Sequence, residues 1–186
     1  MTDDIQPIQP RRSVLYMPGS NLRALEKAKS LAADALILDL EDAVAPDAKA
    51  MARQQVVDAV NNGGYEPREV GIRINGSGSQ WHADDLEAVA ASKAAALVLP
   101  KAEGAGQVRA VAAALPEHMD LWCMIETPLA ILHAEEIAAA SPKTRCLIMG
   151  TSDPHSILSQ IMCDPLAPRP PDLSLSSKPW NALIAP

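Results

Sequence analysis

The chain contains no phenylalanine, and its few aromatic residues are three tryptophans and two tyrosines. Alanine is abundant instead, which suits helices that form readily and pack closely. Long apolar runs are missing as well: none approaches the roughly 18–20 residues that a membrane-spanning helix needs. The first residues, MTDDIQPIQPRRS, hold acids and prolines where a signal peptide has a basic start and an apolar stretch. These absences predict a cytoplasmic protein with no membrane partner. Positive charge is also short, with 16 Lys and Arg against 23 Asp and Glu and a net charge of −7. That balance argues against a nucleic-acid or anionic-membrane binder. Cys123, Cys146 and Cys163 are odd in number and form no CxxC pair, so neither a disulfide frame nor a structural zinc site is indicated. Cys123 and Cys146 lie inside apolar runs and read as small core residues. No GxGxxG follows the first strand, and GSGS at 76–79 has the wrong spacing for a dinucleotide site.

What is present is a repeat of short apolar runs and helical patterns. Strands are predicted in SVLYMPGS (13–20), ALILDLED (35–42), EVGIRINGSGS (69–79), AALVLPKAE (95–103), DLWCMIETP (120–128) and TRCLIMGTSD (144–153). Helical spacing occupies 22–34, 46–64, 82–92, 105–116 and 129–141. Short apolar strands alternating with helices predict buried parallel strands in βα units, in an open doubly wound sheet or a (β/α)8 barrel. The 186 residues suffice for one domain with a sizeable core.

Nearly every strand ends in polar or special residues: PGSN, DLED, RING, PKAE, IETP and GTSD. In a barrel all strand C-termini meet on one face, where catalytic groups collect. The acids Asp39, Glu41 and Asp42, costly if buried without partners, therefore belong to an active rim. By strand alternation Asp39 and Glu41 share one side and Asp42 takes the other. Asp42 is equally a helix cap for the segment after 46. Glu126 and Asp153 end neighbouring strands. Two carboxylates with room for waters suit Mg²⁺, and solvated loop acids are the plain alternative. Arg73 on an apolar strand needs an anion, either a substrate carboxylate or one of the DLED acids. Lys101 reads as a contact for a phosphate or carboxylate, with a Schiff-base nucleophile or a pair with Glu103 as alternatives. Ser20 and Asn21 in PGSN are candidate contacts for an anion or plain helix caps. His82, His118, His133 and His155 show no ligand spacing and read as incidental.

The strand ends RRSVLYMPGSN, LILDLEDAV, IRINGS, LVLPKAE, MIETP and GTSD, in that order, resemble the citrate lyase β-subunit-like proteins of the HpcH/HpaI aldolase superfamily, close to the malyl-CoA lyases. The resemblance covers about residues 11–153. It implies a TIM-type (β/α)8 barrel that binds Mg²⁺ and makes or breaks a C–C bond in an acyl-CoA substrate, as a homo-oligomer. It implies Glu126 and Asp153 as metal ligands, Arg73 as the group that binds substrate and stabilises an enolate, Glu126 as a substrate contact as well, and Ser20, Asn21 and Lys101 as candidate contacts for the anionic groups of CoA. It places Glu41 and Asp42 in the site region, orienting Arg73 and the metal-bound waters.

The resemblance also marks a departure. The family pattern continues through two more strands, whereas here it stops after Asp153, at Pro154. Residues 1–153 are thus expected to form a partial barrel of about six βα units. Residues 154–186 hold seven of the sixteen prolines and no glycine, and are expected to be an irregular Pro-rich tail with at most one short helix at 155–162. Two readings follow. One is a Mg²⁺-dependent lyase cleaving a 3-hydroxyacyl-CoA thioester. The other is a catalytically impaired truncated product, from a frameshift near codon 154, or an oligomeric non-catalytic form with an open barrel. A natural short form that completes its barrel with a partner chain is a further possibility.

Overall fold

The computed structural model describes residues 11–150. Asp153, His155, Cys163 and the tail expected at 154–186 lie outside the described residues. Six strands, β1 (Val14–Pro18), β2 (Ala35–Asp39), β3 (Glu69–Arg73), β4 (Ala96–Leu99), β5 (Asp120–Ile125) and β6 (Thr144–Met149), form one sheet in the order β1-β2-β3-β4-β5-β6. Every neighbouring pair is parallel. The helices between them are α1 (Leu22–Ala28), α2 (Lys49–Asn62), α3 (His82–Ala90), α4 (Ala105–Ala114), α5 (Pro128–Leu132) and α6 (Ala134–Ala139), with a 3-10 turn at Pro46–Ala48 leading into α2. The architecture is a six-stranded parallel α/β sheet of the expected βα repeat, and it is not closed. Among the described residues β1 pairs only with β2, and β6 only with β5.

Strand alternation divides the core into two. Leu36, Leu38, Ile72, Leu97, Leu99 and Leu121 pack against helix residues such as Leu25, Val56, Val89 and Val108. Ala35, Ile37, Ala96, Val98, Trp122 and Met124 form a second cluster on the other face, joined by Cys146 and Ile148. A run such as ALILD in β2 is wholly buried because both of its faces are covered. Gly71 makes room for the largest side chain of the inner cluster. A Cβ there would sit 3.2 Å from Trp122 Cζ3 and 3.0 Å from Val98 Cγ2. The Arg11 guanidinium lies 4.9 Å from the centroid of the Trp122 ring and pairs with Glu69 at 2.6 Å.

Two helices differ from the sequence expectation. The helix expected over 22–34 stops at Ala28. The Ser30 hydroxyl donates to Lys27 O, and the chain turns there to enter β2. The single helix expected over 129–141 is two, broken at His133, whose ring Nδ1 is 2.8 Å from Glu103 O on the β4–α4 loop. At α2 the sequence signal is accurate, because the helix ends at Gly63 (φ 72°) and Gly64 (φ 90°), which adopt the left-handed backbone without a Cβ penalty.

Candidate functional site

Because all six strands run parallel, their C-terminal ends lie on one edge, and the polar strand ends gather there. Asp39 and Arg73 end adjacent strands in direct register. Asp39 is fully enclosed, and its two oxygens take the guanidinium edgewise, Arg73 Nε donating to Oδ1 at 2.7 Å and Nη2 to Oδ2 at 2.6 Å. The same oxygens accept the backbone N–H groups of Glu41 and Ala43, which fixes the turn that follows β2. Glu41 Oε2 lies 3.2 Å from Arg73 Nη1, and Asp42 Oδ2 lies 3.5 Å from the same nitrogen. Glu41 Oε2 makes no well-directed hydrogen bond, so this contact is a charge pair only. The Tyr16 ring completes the cluster, its centroid 5.3 Å from the guanidinium carbon.

The electrostatics follow from burial. Burial disfavours the Arg73 cation, but the Asp39 hydrogen bonds and the charges of Asp39, Glu41 and Asp42 outweigh it and hold its pKa above the usual arginine value. Burial pushes the Glu41 carboxyl up, against the opposing pull of Arg73 and Lys101. Partial burial likewise raises the Tyr16 phenol. Burial also pushes the Cys123 thiol up to about 12, consistent with an inert core residue.

Lys101 and Glu126 form the other half of the rim. Lys101 Nζ pairs with Glu41 Oε1 at 3.2 Å, rather than with Glu103. Its backbone N–H donates to Glu126 Oε1 at 2.8 Å. Glu126 is buried at the end of β5, and Gly150, just past β6, leaves space for it. A Cβ at position 150 would fall 2.8 Å from Glu126 Oε2. Beside this cluster a cleft of about 520 Å³ is lined in part by Glu41, Asp42, Lys49, Asn75, Trp81 and Lys101.

Arg73, Glu41, Asp42, Lys101 and Glu126 are thus brought together. Asp153, the other expected metal ligand, lies outside the described residues, and among those described no three His, Cys, Asp or Glu side chains are grouped to hold a metal ion. Alternation fails for Asp42. The chain leaves the strand after Asp39, so Asp42 reaches Arg73 as well, from an exposed position. Nor does Asp42 cap a helix, since neither the 3-10 turn nor α2 has a side-chain cap. Asn21 Oδ1 accepts the Ala24 N–H and caps α1. His82 and His133 bond backbone carbonyls through Nδ1, at Asn75 O and Glu103 O.

Sequence reasoning missed a buried support beneath the rim. Asp85, fully enclosed on α3, accepts from Arg53 Nε (2.7 Å) and from Asn75 N (3.0 Å) and Nδ2 (2.6 Å). Lys49, also buried, donates to Leu40 O and Glu41 O and lies 5.3 Å from the Trp81 ring centroid. The signal for Asp85 was its place one turn before Val89, on the apolar face of α3. A charged residue on a buried stripe requires a partner.

Known proteins share this fold and much of this sequence. Residues 12–158 match the HpcH/HpaI aldolase/citrate lyase family. A (3S)-malyl-CoA thioesterase of Cereibacter sphaeroides is 49% identical over 144 residues, covering 77% of this chain and 50% of that protein. An L-malyl-CoA/beta-methylmalyl-CoA lyase of the same species is 36% identical over 159 residues, covering 79% and 50%. Among solved structures, CitE of Mycobacterium tuberculosis in complex with magnesium, acetoacetate and coenzyme A superposes with a TM-score of 0.64 at 35% identity, covering 76% of this chain and 50% of that one. The citrate lyase β subunit of M. tuberculosis gives 0.62 at 36% identity, covering 74% and 56%. The chain spans about half the length of the curated relatives it matches. With a family match over most of its length, the chain belongs to the HpcH/HpaI aldolase/citrate lyase family, and its named relatives are enzymes of CoA thioesters.

Proposed function

We propose that this protein cleaves or forms a C–C bond in a carboxylate-bearing 3-hydroxyacyl-CoA thioester, through a thioester enolate and with Mg²⁺ bound at the rim. The observation that carries the reading is Arg73. It is a buried guanidinium at a strand end, held through one edge by Asp39, on the same rim as a buried carboxylate. A charged fork fixed in this way is preorganised for a substrate carboxylate and for the negative charge that develops on cleavage. Nη1 is shared by Glu41 and Asp42, and Asp42 is exposed at 3.5 Å, so an incoming carboxylate displaces the weaker partner.

Glu126 fits a hard cation. It is an oxygen donor at a strand end, and Gly150 preserves the space beside it. Glu126, with Asp153 from outside the described residues, would hold the metal. When bound, Mg²⁺ supplies Lewis acidity and a template for the oxygens of the substrate. Lys101 fixes Oε1 of Glu126 through its N–H. The general base is unassigned.

A second reading, thioester hydrolysis, has a specific observation behind it: the 49% identical relative carries the name of a thioesterase. A third, a non-catalytic open barrel, is favoured by the one-sided pairing of β1 and β6 among the described residues. One experiment separates them. The full chain is incubated with malyl-CoA and Mg²⁺, and its products are identified. A 2-oxo acid with acetyl-CoA supports the lyase. Free thiol with malate overturns it in favour of hydrolysis. No turnover, with or without Mg²⁺, supports the non-catalytic form.

A further inference from the structure

We propose that Lys101 is a positioning residue that couples the Glu126 carboxylate to the Arg73 cluster, by its backbone at one end and its ammonium at the other. The inference rests on the reading of Glu126 as a metal ligand and of Arg73 as a substrate group. Strand β4 lies between β3 and β5, so its C-terminal turn is flanked by Arg73 on one side and Glu126 on the other. Lys101 occupies that turn, and it is the one residue other than glycine with a positive φ, 48°, among those described. A lysine in the left-handed region is held there against its own preference, which points to a use for the conformation.

Its consequence is visible in two successive amides. Lys101 N–H donates to Glu126 Oε1 at 2.8 Å, and Ala102 N–H donates to Met124 O at 3.2 Å. In an extended strand successive N–H groups face opposite edges. The left-handed turn aims both at β5, in the manner of other backbone concavities that hold anions. The surroundings enforce it. Pro100 precedes the turn, and Gln107 of α4 donates to Lys101 O while its Oε1 accepts the Glu103 N–H. At the other end, Nζ holds Glu41 Oε1 at 3.2 Å, and Oε2 of the same carboxylate lies 3.2 Å from Arg73 Nη1. Lys101 therefore holds Glu41 between two cations and keeps it from closing wholly on the guanidinium that a substrate must reach.

The test uses the full chain and separates the two ends. Mg²⁺ affinity is measured by calorimetry for Lys101→Gly, Lys101→Asn and Lys101→Val. Gly and Asn accept the left-handed turn and keep wild-type affinity, whereas Val, branched at Cβ, resists it and binds Mg²⁺ about tenfold or more weakly. Equal affinity in Gly and Val overturns the backbone role. Pyruvate, added with Mg²⁺, binds about fivefold more weakly to Lys101→Gly, because the released Glu41 competes for Arg73. Unchanged pyruvate binding overturns the coupling. Hydrogen exchange keeps these results distinct from failure of the metal reading. The residue 101 amide loses protection in Glu126→Ala relative to the Ala102 amide, with no metal present. If the wild-type chain binds no Mg²⁺, the metal reading falls and the exchange result still decides the contact. Equal protection in both proteins overturns it.

Discussion

Arg73 carries the densest set of contacts on the rim, and its chemistry is that of a fork rather than a point charge. Arg73→Lys retains the cation and loses the paired donation to Asp39. We expect pyruvate affinity to fall by about tenfold or more in calorimetry, since a hydrogen bond between charged groups contributes about 1.5–3 kcal/mol. Unchanged affinity would assign Arg73 to structure alone. Removing the cation altogether has a different effect. In Arg73→Met the enclosed Asp39 carboxylate loses its counter-ion, and denaturant titration should show a loss of about 3–5 kcal/mol. Gly71 is a residue-scale prediction of another kind. Alanine there meets Trp122 and Val98 at 3.2 and 3.0 Å, and both are enclosed in the inner cluster. Overpacking of this sort costs about 1–3 kcal/mol, so Gly71→Ala should melt below wild type. An unchanged melting temperature would mean that the ring shifts freely.

Among elements, the starts of β1 and β2 are joined by a clamp remote from the rim. Asp34 accepts from Arg12 N, Nε and Nη2 and from Ser13 N. The Arg12 hydrogen bond holds its carboxyl at about 2, below the ordinary 3.8. A depressed folded-state value means that the unfolded chain binds protons first. The clamp is therefore fully present above the unfolded value, near pH 4, and is lost as pH falls towards 2. Asp34→Asn should flatten the stability curve between those limits and leave its slope near neutrality unchanged. Chemical denaturation at several pH values measures this, and parallel curves in the acid range would exclude the clamp. The strand–helix alternation was legible from apolar spacing, and so were the glycines that close α2. The break at His133 was not, because apolar spacing runs on through it and the ring's partner, Glu103 O, lies 30 residues away.

At the scale of the molecule the open sheet is the leading feature. Among the described residues β1 and β6 each present an unpaired edge, and Val14, Leu15, Tyr16, Leu147 and Met149 are exposed there. Unpaired edges with apolar side chains template further strand pairing. The full chain should therefore run above its monomer mass of 19.7 kDa in light-scattering chromatography, and Leu147→Lys should shift it towards monomer. A monodisperse monomer in both proteins would show that the edges are covered.

The sequence by itself determined the βα repeat, the parallel direction of the strands and the set of residues at the strand ends, because these depend on spacing along the chain. Arg73, Glu41, Asp42, Lys101 and Glu126 were all named from where apolar runs stop. Tertiary structure decided how they pair. Asp39 became the principal partner of Arg73 only because β2 and β3 align those two residues in register, across 34 positions of sequence. Lys101 acquired its left-handed turn from Pro100, Gln107 and Glu126 acting together, with no glycine to announce it. Asp85 met Arg53 and Asn75 in the same way. A residue's type and its neighbours in sequence fix where it can lie, but which charge it meets depends on strand register and helix packing, and those are set by burial across the whole sheet.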